Sequence, residues 1–201
     1  MELKEFNSLI DLYFHQAEKQ KPKSDFLEWL NPKNKAKYTW EQTSLNIYKL
    51  ANIIKGNIKD NDRCLLISEN RPEWLISDIA IMLANGITVP AYTTYTEKDY
   101  RYLIEDCEPS IIIVSNNDMH EKIKKIINEK EFIKKIITLD EIKNVDYLSQ
   151  GAVLINYPND FHPYSNQWTI KKRVSRRQQK NTKSKVFEIG KKGTTMMALR
   201  I

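Results

Sequence analysis

The 201 residues predict an α/β fold built on a mainly parallel, doubly wound sheet. Three observations carry that expectation. Short apolar runs recur at 64–67, 87–89, 111–114 and 136–139. Stretches with helical spacing and helix punctuation lie between them, and such alternation implies right-handed βαβ units. The run Ile111-Ile112-Ile113-Val114 shows no polar alternation, which is the pattern of a strand covered on both faces.

Taken in order, 7–20 places Leu9, Ile10, Tyr13, Phe14 and Ala17 at helical spacing. A Pro- and Lys-rich connection follows through Pro22 and Pro32. Thr39 and Gln42 have capping-box spacing and open a helix whose apolar face is Leu45, Tyr48, Ala51 and Ile54, with Gly56 ending it. The strand at 64–67 leads into Ser68-Glu69-Asn70-Arg71 and a helix beginning at Pro72, a residue suited to a first turn. Asn70 and Glu73 again have capping-box spacing. Arg71 is the alternative cap, because the residue before a proline avoids the helical region. Asn85-Gly86 supplies a left-handed stop. Between these signals Trp74, Leu75, Ile76, Ile79, Ala80, Ile81, Met82 and Leu83 leave only a narrow polar strip of Glu73, Ser77 and Asp78. A helix apolar on nearly all sides is buried on more than one side, so this one predicts a larger protein around it and an incomplete fold by itself.

The strand at 87–89 is expected to stop at Pro90. Thr96-Glu97-Lys98-Asp99 starts a helix carrying Tyr100, Leu103 and Ile104, and 120–128 forms another before the strand at 136–139. No internal repeat is present. Beyond Gln150 apolar residues persist, as in Ala152-Val153-Leu154-Ile155, but no period is sustained. The division is therefore 1–149, a folded portion, and 150–201, a basic and poorly ordered tail.

Charge follows the same division. Residues 1–149 hold 21 Lys+Arg against 24 Asp+Glu, a net −3, whereas 150–201 hold 11 against 2, a net +9. The segment 171–185 (KKRVSRRQQKNTKSK) has the composition of a solvated, disordered run. The opening MELKEFNSLIDLYF contains neither a secretory signal nor a membrane span, and two scattered cysteines, Cys64 and Cys107, fit a reducing cytoplasm with buried thiols.

Parallel sheets bind ligands at the carboxyl ends of their strands. The candidate there is Ser68-Glu69-Asn70-Arg71, where a helix N-terminus could hold an anion; the simpler expectation is that Asn70 and Glu73 only cap the helix. No GxGxxG follows a strand, which argues against a dinucleotide-binding domain. Gly190-Lys191-Lys192-Gly193-Thr194-Thr195 lacks Walker spacing and has no strand before it. His15, His120 and His162 are isolated from other ligands, and Glu105, Asp106 and Glu108 read as a solvated rim. No catalytic, cofactor-binding or metal residue is assigned.

The wording of three blocks adds a resemblance. TWEQTSLNIYKLANIIKG, NDRCLLISENRPEWLISDIAIMLANGITVPAYTTYT and YLIEDCEPSIIIVSN resemble the N-terminal part of long-chain fatty-acid–CoA ligases, AMP-forming enzymes of the adenylate-forming superfamily. The resembling residues include Asn70-Arg71-Pro72-Glu73-Trp74 and Gly86-Ile87-Thr88-Val89-Pro90, and the likeness spans about 3–139. Asn61 stands where the family's turn glycine is expected, a change that should not endanger the fold. The resemblance implies the first subdomain of such a ligase, with fatty acid, ATP, Mg2+ and CoA as substrates and cofactors of the full-length family. It also implies a loop of the form YTSGTTGxPKG, a YGxTE segment, a ribose-binding aspartate and a catalytic lysine, none of which this sequence carries; KKGTTMMA is a poor echo. The leading expectation is thus a truncated ligase without activity of its own, with a frameshift or pseudogene as a source of the tail. The alternatives are a binding module whose basic tail contacts nucleic acid or anionic lipid, and a regulatory or structural protein that self-associates through apolar surface left bare.

Overall fold

A computed structural model describes residues 5–30, 37–140, 153–156, 185–187 and 197–199. Its elements run α1 (Leu9–Lys19), β1 (Asp25–Glu28), β2 (Lys37–Thr39), α2 (Trp40–Lys55), β3 (Arg63–Ile67), α3 (Pro72–Leu83), β4 (Ile87–Ala91), α4 (Glu97–Cys107), β5 (Ile111–Val114), α5 (Asn117–Ile127), β6 (Lys135–Thr138), β7 (Val153–Asn156), β8 (Lys185–Phe187) and β9 (Met197–Leu199). The chain divides into two units, Met1–Phe161 and His162–Ile201. In the second unit β8 pairs antiparallel with β9. Of the basic run 171–185, only Lys185 lies within the described residues, as do none of Gly190, Lys191, Lys192, Gly193, Thr194, Thr195 and His162.

The first unit is organised by a five-stranded sheet in the order β4-β3-β5-β6-β7, with every pair parallel. Its inner strands β3, β5 and β6 are buried on both faces, so alternate residues enter two separate cores. Cys64 and Leu66 of β3, with Ile111 and Ile113 of β5, face a core shared with α1, α2 and α3. Leu65, Ile67, Ile112 and Val114 face a second core shared with α4 and α5. The sheet is doubly wound, as expected. α3 packs on both α2 and the sheet, and none of its twelve residues is exposed.

The helix boundaries follow the expected chemistry at most ends. Thr39 and Gln42 form a reciprocal capping box, as do Thr96 and Asp99. Asn85 takes the left-handed conformation after α3 (φ 65°), and so does Asn61 before β3 (φ 68°). A glycine is the usual occupant of such a position; asparagine tolerates it better than other residues with a β-carbon. That is the physical reason Asn61 can stand where a turn glycine is expected.

Four features differ from the sequence expectations. β4 does not stop before Pro90 but runs through it to Ala91. It is the edge strand, paired only with β3 in the sheet, and a proline's missing N–H is tolerated on an edge. The connection between α1 and α2 holds an antiparallel pair, β1 and β2, tied by Lys37 to Asp25. β7 lies beyond Gln150, in a stretch where no period is sustained, because a strand of only four residues is too short to show one. The fourth concerns the head of α3. The alternative holds there: Arg71 is its N-cap residue, and Asn70 makes no capping box with Glu73.

Candidate functional site

The strand order reverses between β3 and β5, since the chain leaves β3 for β4 on one side and then crosses to β5 on the other. That reversal is where open α/β sheets form their ligand crevice. Backbone bonds join the strand ends here: Ser115 N–H donates to the Ile67 carbonyl (2.9 Å) and Asp140 N–H to the Ser115 carbonyl (2.9 Å). The Asn116 side chain accepts from Met119 N–H (3.1 Å), capping α5, and donates to Glu69 Oε1 (3.3 Å) across the reversal.

Beside it lies a buried ionic network centred on Arg71. The Arg71 Nε donates to Glu73 Oε2 at 2.7 Å and a terminal nitrogen donates to Asp140 Oδ1 at 2.9 Å. Tyr38 Oη donates to the other Glu73 oxygen at 2.6 Å. The guanidinium carbon sits 4.6 Å from the centroid of the Trp29 ring, within cation–π range. Side chains of Arg71 and Glu73 are only 5% and 6% exposed, whereas Asp140 is 45% exposed. Burial alone would lower the guanidinium's pKa, but hydrogen bonds to Asp140 and Glu73 outweigh it and raise the value, so Arg71 stays charged. Burial and the adjoining Glu73 carboxylate push the Tyr38 phenol well above its ordinary value, which keeps it a donor.

This geometry overturns the expectation that Asn70 and Glu73 merely cap α3. Asn70 is exposed, and Glu73 is a buried acceptor joining Arg71 to Tyr38. The network also decides what the crevice can hold. One guanidinium faces two carboxylates, and Glu69 adds a third at the reversal. That donor set does not fit nucleotide phosphates, which need convergent N–H groups and uncompensated cations. The network instead fastens three chain segments: the β1–β2 pair through Trp29 and Tyr38, the head of α3, and the turn after β6 through Asp140.

The remaining candidates are dispersed. Glu105 pairs with Lys130 (2.7 Å), Glu108 is a left-handed helix cap (φ 41°), and His15 rests 5.1 Å from the Phe6 ring. Ser115 and His120 are both buried, yet neither the Ser115 hydroxyl nor either His120 nitrogen has a hydrogen-bond partner. They are therefore not the bonded pair that an activated nucleophile requires. Among the described residues no group of three or more His, Cys, Asp or Glu side chains forms a metal site. No helix among them is long and apolar enough to cross a membrane. Sequence reading missed Trp29, Tyr38 and Asp140, and no local signal could have found them: Tyr38 lies 35 residues from Glu73, and Asp140 lies 69 from Arg71.

Comparison with known proteins agrees with this architecture. The family described as AMP-binding enzyme matches residues 13–177. A long-chain-fatty-acid–CoA ligase of Rattus norvegicus, ACSBG1, is 29% identical over 113 residues, which is 53% of this chain and 16% of the relative. Long chain acyl-CoA synthetase 4 of Arabidopsis thaliana is 31% identical over 107 residues, 51% of this chain and 16% of the relative. The chain thus spans about one sixth of the length of these curated relatives. In fold it is similar to the anthranilate CoA ligase AuaEII in complex with anthranoyl-AMP (TM-score 0.58, 20% identity, 70% of this chain and 26% of that one). It is also similar to apo MatB from Rhodopseudomonas palustris (TM-score 0.53, 22% identity, 65% and 25%). With a doubly wound sheet shared with CoA ligases and a family match over most of its length, the chain belongs to the AMP-binding enzyme family.

Proposed function

We propose that this chain is the opening portion of an AMP-forming long-chain fatty-acid–CoA ligase and that its 201 residues do not activate a fatty acid by themselves. The observation that carries the reading is the mismatch between scaffold and chemistry. The likeness to long-chain ligases runs over a sixth of their length, while the sequence has five glycines in all and no glycine-rich loop of the family form. The residues directly after β7 are Tyr157-Pro158-Asn159-Asp160-Phe161, without a glycine or a lysine.

The full reaction joins a fatty acid to AMP, releases pyrophosphate and passes the acyl group to CoA. Developing charge in such a step is met by preorganised donors and cations aimed at it. The buried network has its cation already matched by carboxylates, so its role is to hold α3 and the strand ends in place. Fatty acid, ATP, Mg2+ and CoA would accordingly be handled by parts of a longer protein. The open β4 edge, where Ile87 is 46% exposed, suits a surface that such parts would cover.

The test is fatty-acid-dependent AMP formation and pyrophosphate exchange by the purified chain with ATP, Mg2+ and CoA. No turnover above a protein-free control is expected. Sustained AMP production would overturn the reading and would direct mutation first to Gly190, Lys191, Gly193, Thr194 and Thr195.

A further inference from the structure

His120 occupies the first turn of α5, one residue after Met119, whose sulfur lies 4.0 Å from the Tyr100 hydroxyl in the second core. The imidazole is 1% exposed and neither ring nitrogen has a hydrogen-bond partner. Glu121 Oε1 approaches Nδ1 to 3.5 Å, but Glu121 is half exposed and the approach does not make a hydrogen bond. Burial of a ring with no hydrogen-bonded acceptor favours the neutral form.

Burial is the largest influence on the ring and outweighs the help that the Glu121 carboxylate offers a proton. Glu121 and Lys124, both on α5, bear on the ring with opposite sign. On the face that α5 covers, β5 and β6 contribute Ile112, Val114 and Ile136, none of them ionisable. On α4, Arg101 is paired with Glu129, Glu105 with Lys130, and the Tyr100 hydroxyl donates to the Tyr92 carbonyl. The positive end of the α5 macrodipole adds to the penalty, since His120 lies near the helix N-terminus.

We propose that the first turn of α5 is an acid-sensitive latch: protonation of His120 drives the ring out of its buried position and, through the bond from His120 N–H to the carbonyl of the cap residue Asn116, releases the Asn116–Glu69 bond that joins α5 to the β3–α3 loop. The inference is independent of whether the chain is part of a ligase. Its sign follows from linkage. Burial holds the folded-state pKa of His120 below its ordinary value, so an opened state binds the proton more readily. Closure is complete above about pH 6.5, the free imidazole value, and weakens as pH falls below it.

The experiment is amide hydrogen exchange of the full 201-residue chain at about pH 7.5 and about pH 5.5, corrected for intrinsic exchange, with α2 as the internal reference. The expected result is that protection of Asn117–Ile127 falls by up to about tenfold relative to α2 at the lower pH, the limit set by probing one pH unit below the free imidazole value. In His120→Met the α5-to-α2 ratio should be the same at both values. An unchanged ratio in the natural chain, or an equal fall in the variant, would overturn the proposal. Should the variant not fold, the imidazole resonances of His120 in the natural chain decide the matter. A ring that stays neutral until α5 opens supports the latch, and one that titrates near its ordinary value while α5 stays protected refutes it.

Discussion

Arg71 and His120 head neighbouring helices on opposite faces of one sheet, and they show two ways of burying a basic side chain. Arg71 introduces α3 and is surrounded by Glu73, Asp140 and the Trp29 ring. His120 sits in the first turn of α5 with no hydrogen-bond partner. Removing a permanent charge from water costs several kcal/mol, so Arg71 is tolerated only because its partners return most of that cost. Histidine escapes the cost by giving up its proton. One face of the sheet is therefore closed by a charge network and the other by an apolar contact that depends on protonation.

Breaking the first arrangement should have the largest effect. Arg71→Leu leaves Glu73 buried with only Tyr38 donating to it, and loss of one partner of a buried pair costs about 3–5 kcal/mol. Equilibrium urea unfolding of the two proteins measures this; a loss below about 1 kcal/mol would mean that Glu73 simply takes up a proton or water.

The heads of the two helices sharpen the contrast further. Asn116→Ala removes the α5 cap and the bond to Glu69, and should cost about 1 kcal/mol, within the range measured for caps. Asn70→Ala, at the position that sequence spacing marks as a cap, should change stability by less than about 0.5 kcal/mol, because Asn70 is exposed and makes no capping bond to α3. Thermal or urea unfolding of both variants compares them directly. Equal losses would show that α3 does use Asn70 in solution, against the geometry described above.

The same pair of helices marks the limit of what is legible in the chain. Asn85 after α3, the box at Thr39 and the helix start at Thr96 were readable because caps and left-handed stops are made by residues within four positions of each other. The doubly wound sheet was readable too, since Ile111-Ile112-Ile113-Val114 is apolar on both alternations. At the head of α3 the proline marks Arg71 correctly as the N-cap, but the capping-box spacing of Asn70 and Glu73 misleads. That spacing is compatible with a cap, but a carboxylate bonds the strongest donors within reach, and Arg71 and Tyr38 outcompete a backbone N–H.

By itself, then, the sequence determined the alternation of strands and helices, the burial of α3, most helix ends and the family likeness, all of which rest on local chemistry or on the periodicity of apolar residues. Tertiary structure alone decided that Pro90 lies within a strand, because only the sheet order makes β4 an edge. It alone brought Trp29, Tyr38 and Asp140 to the Arg71–Glu73 pair, and left His120 without a hydrogen-bond partner. Those outcomes depend on which side chains meet across dozens of residues of chain, and spacing along the backbone carries no record of such meetings.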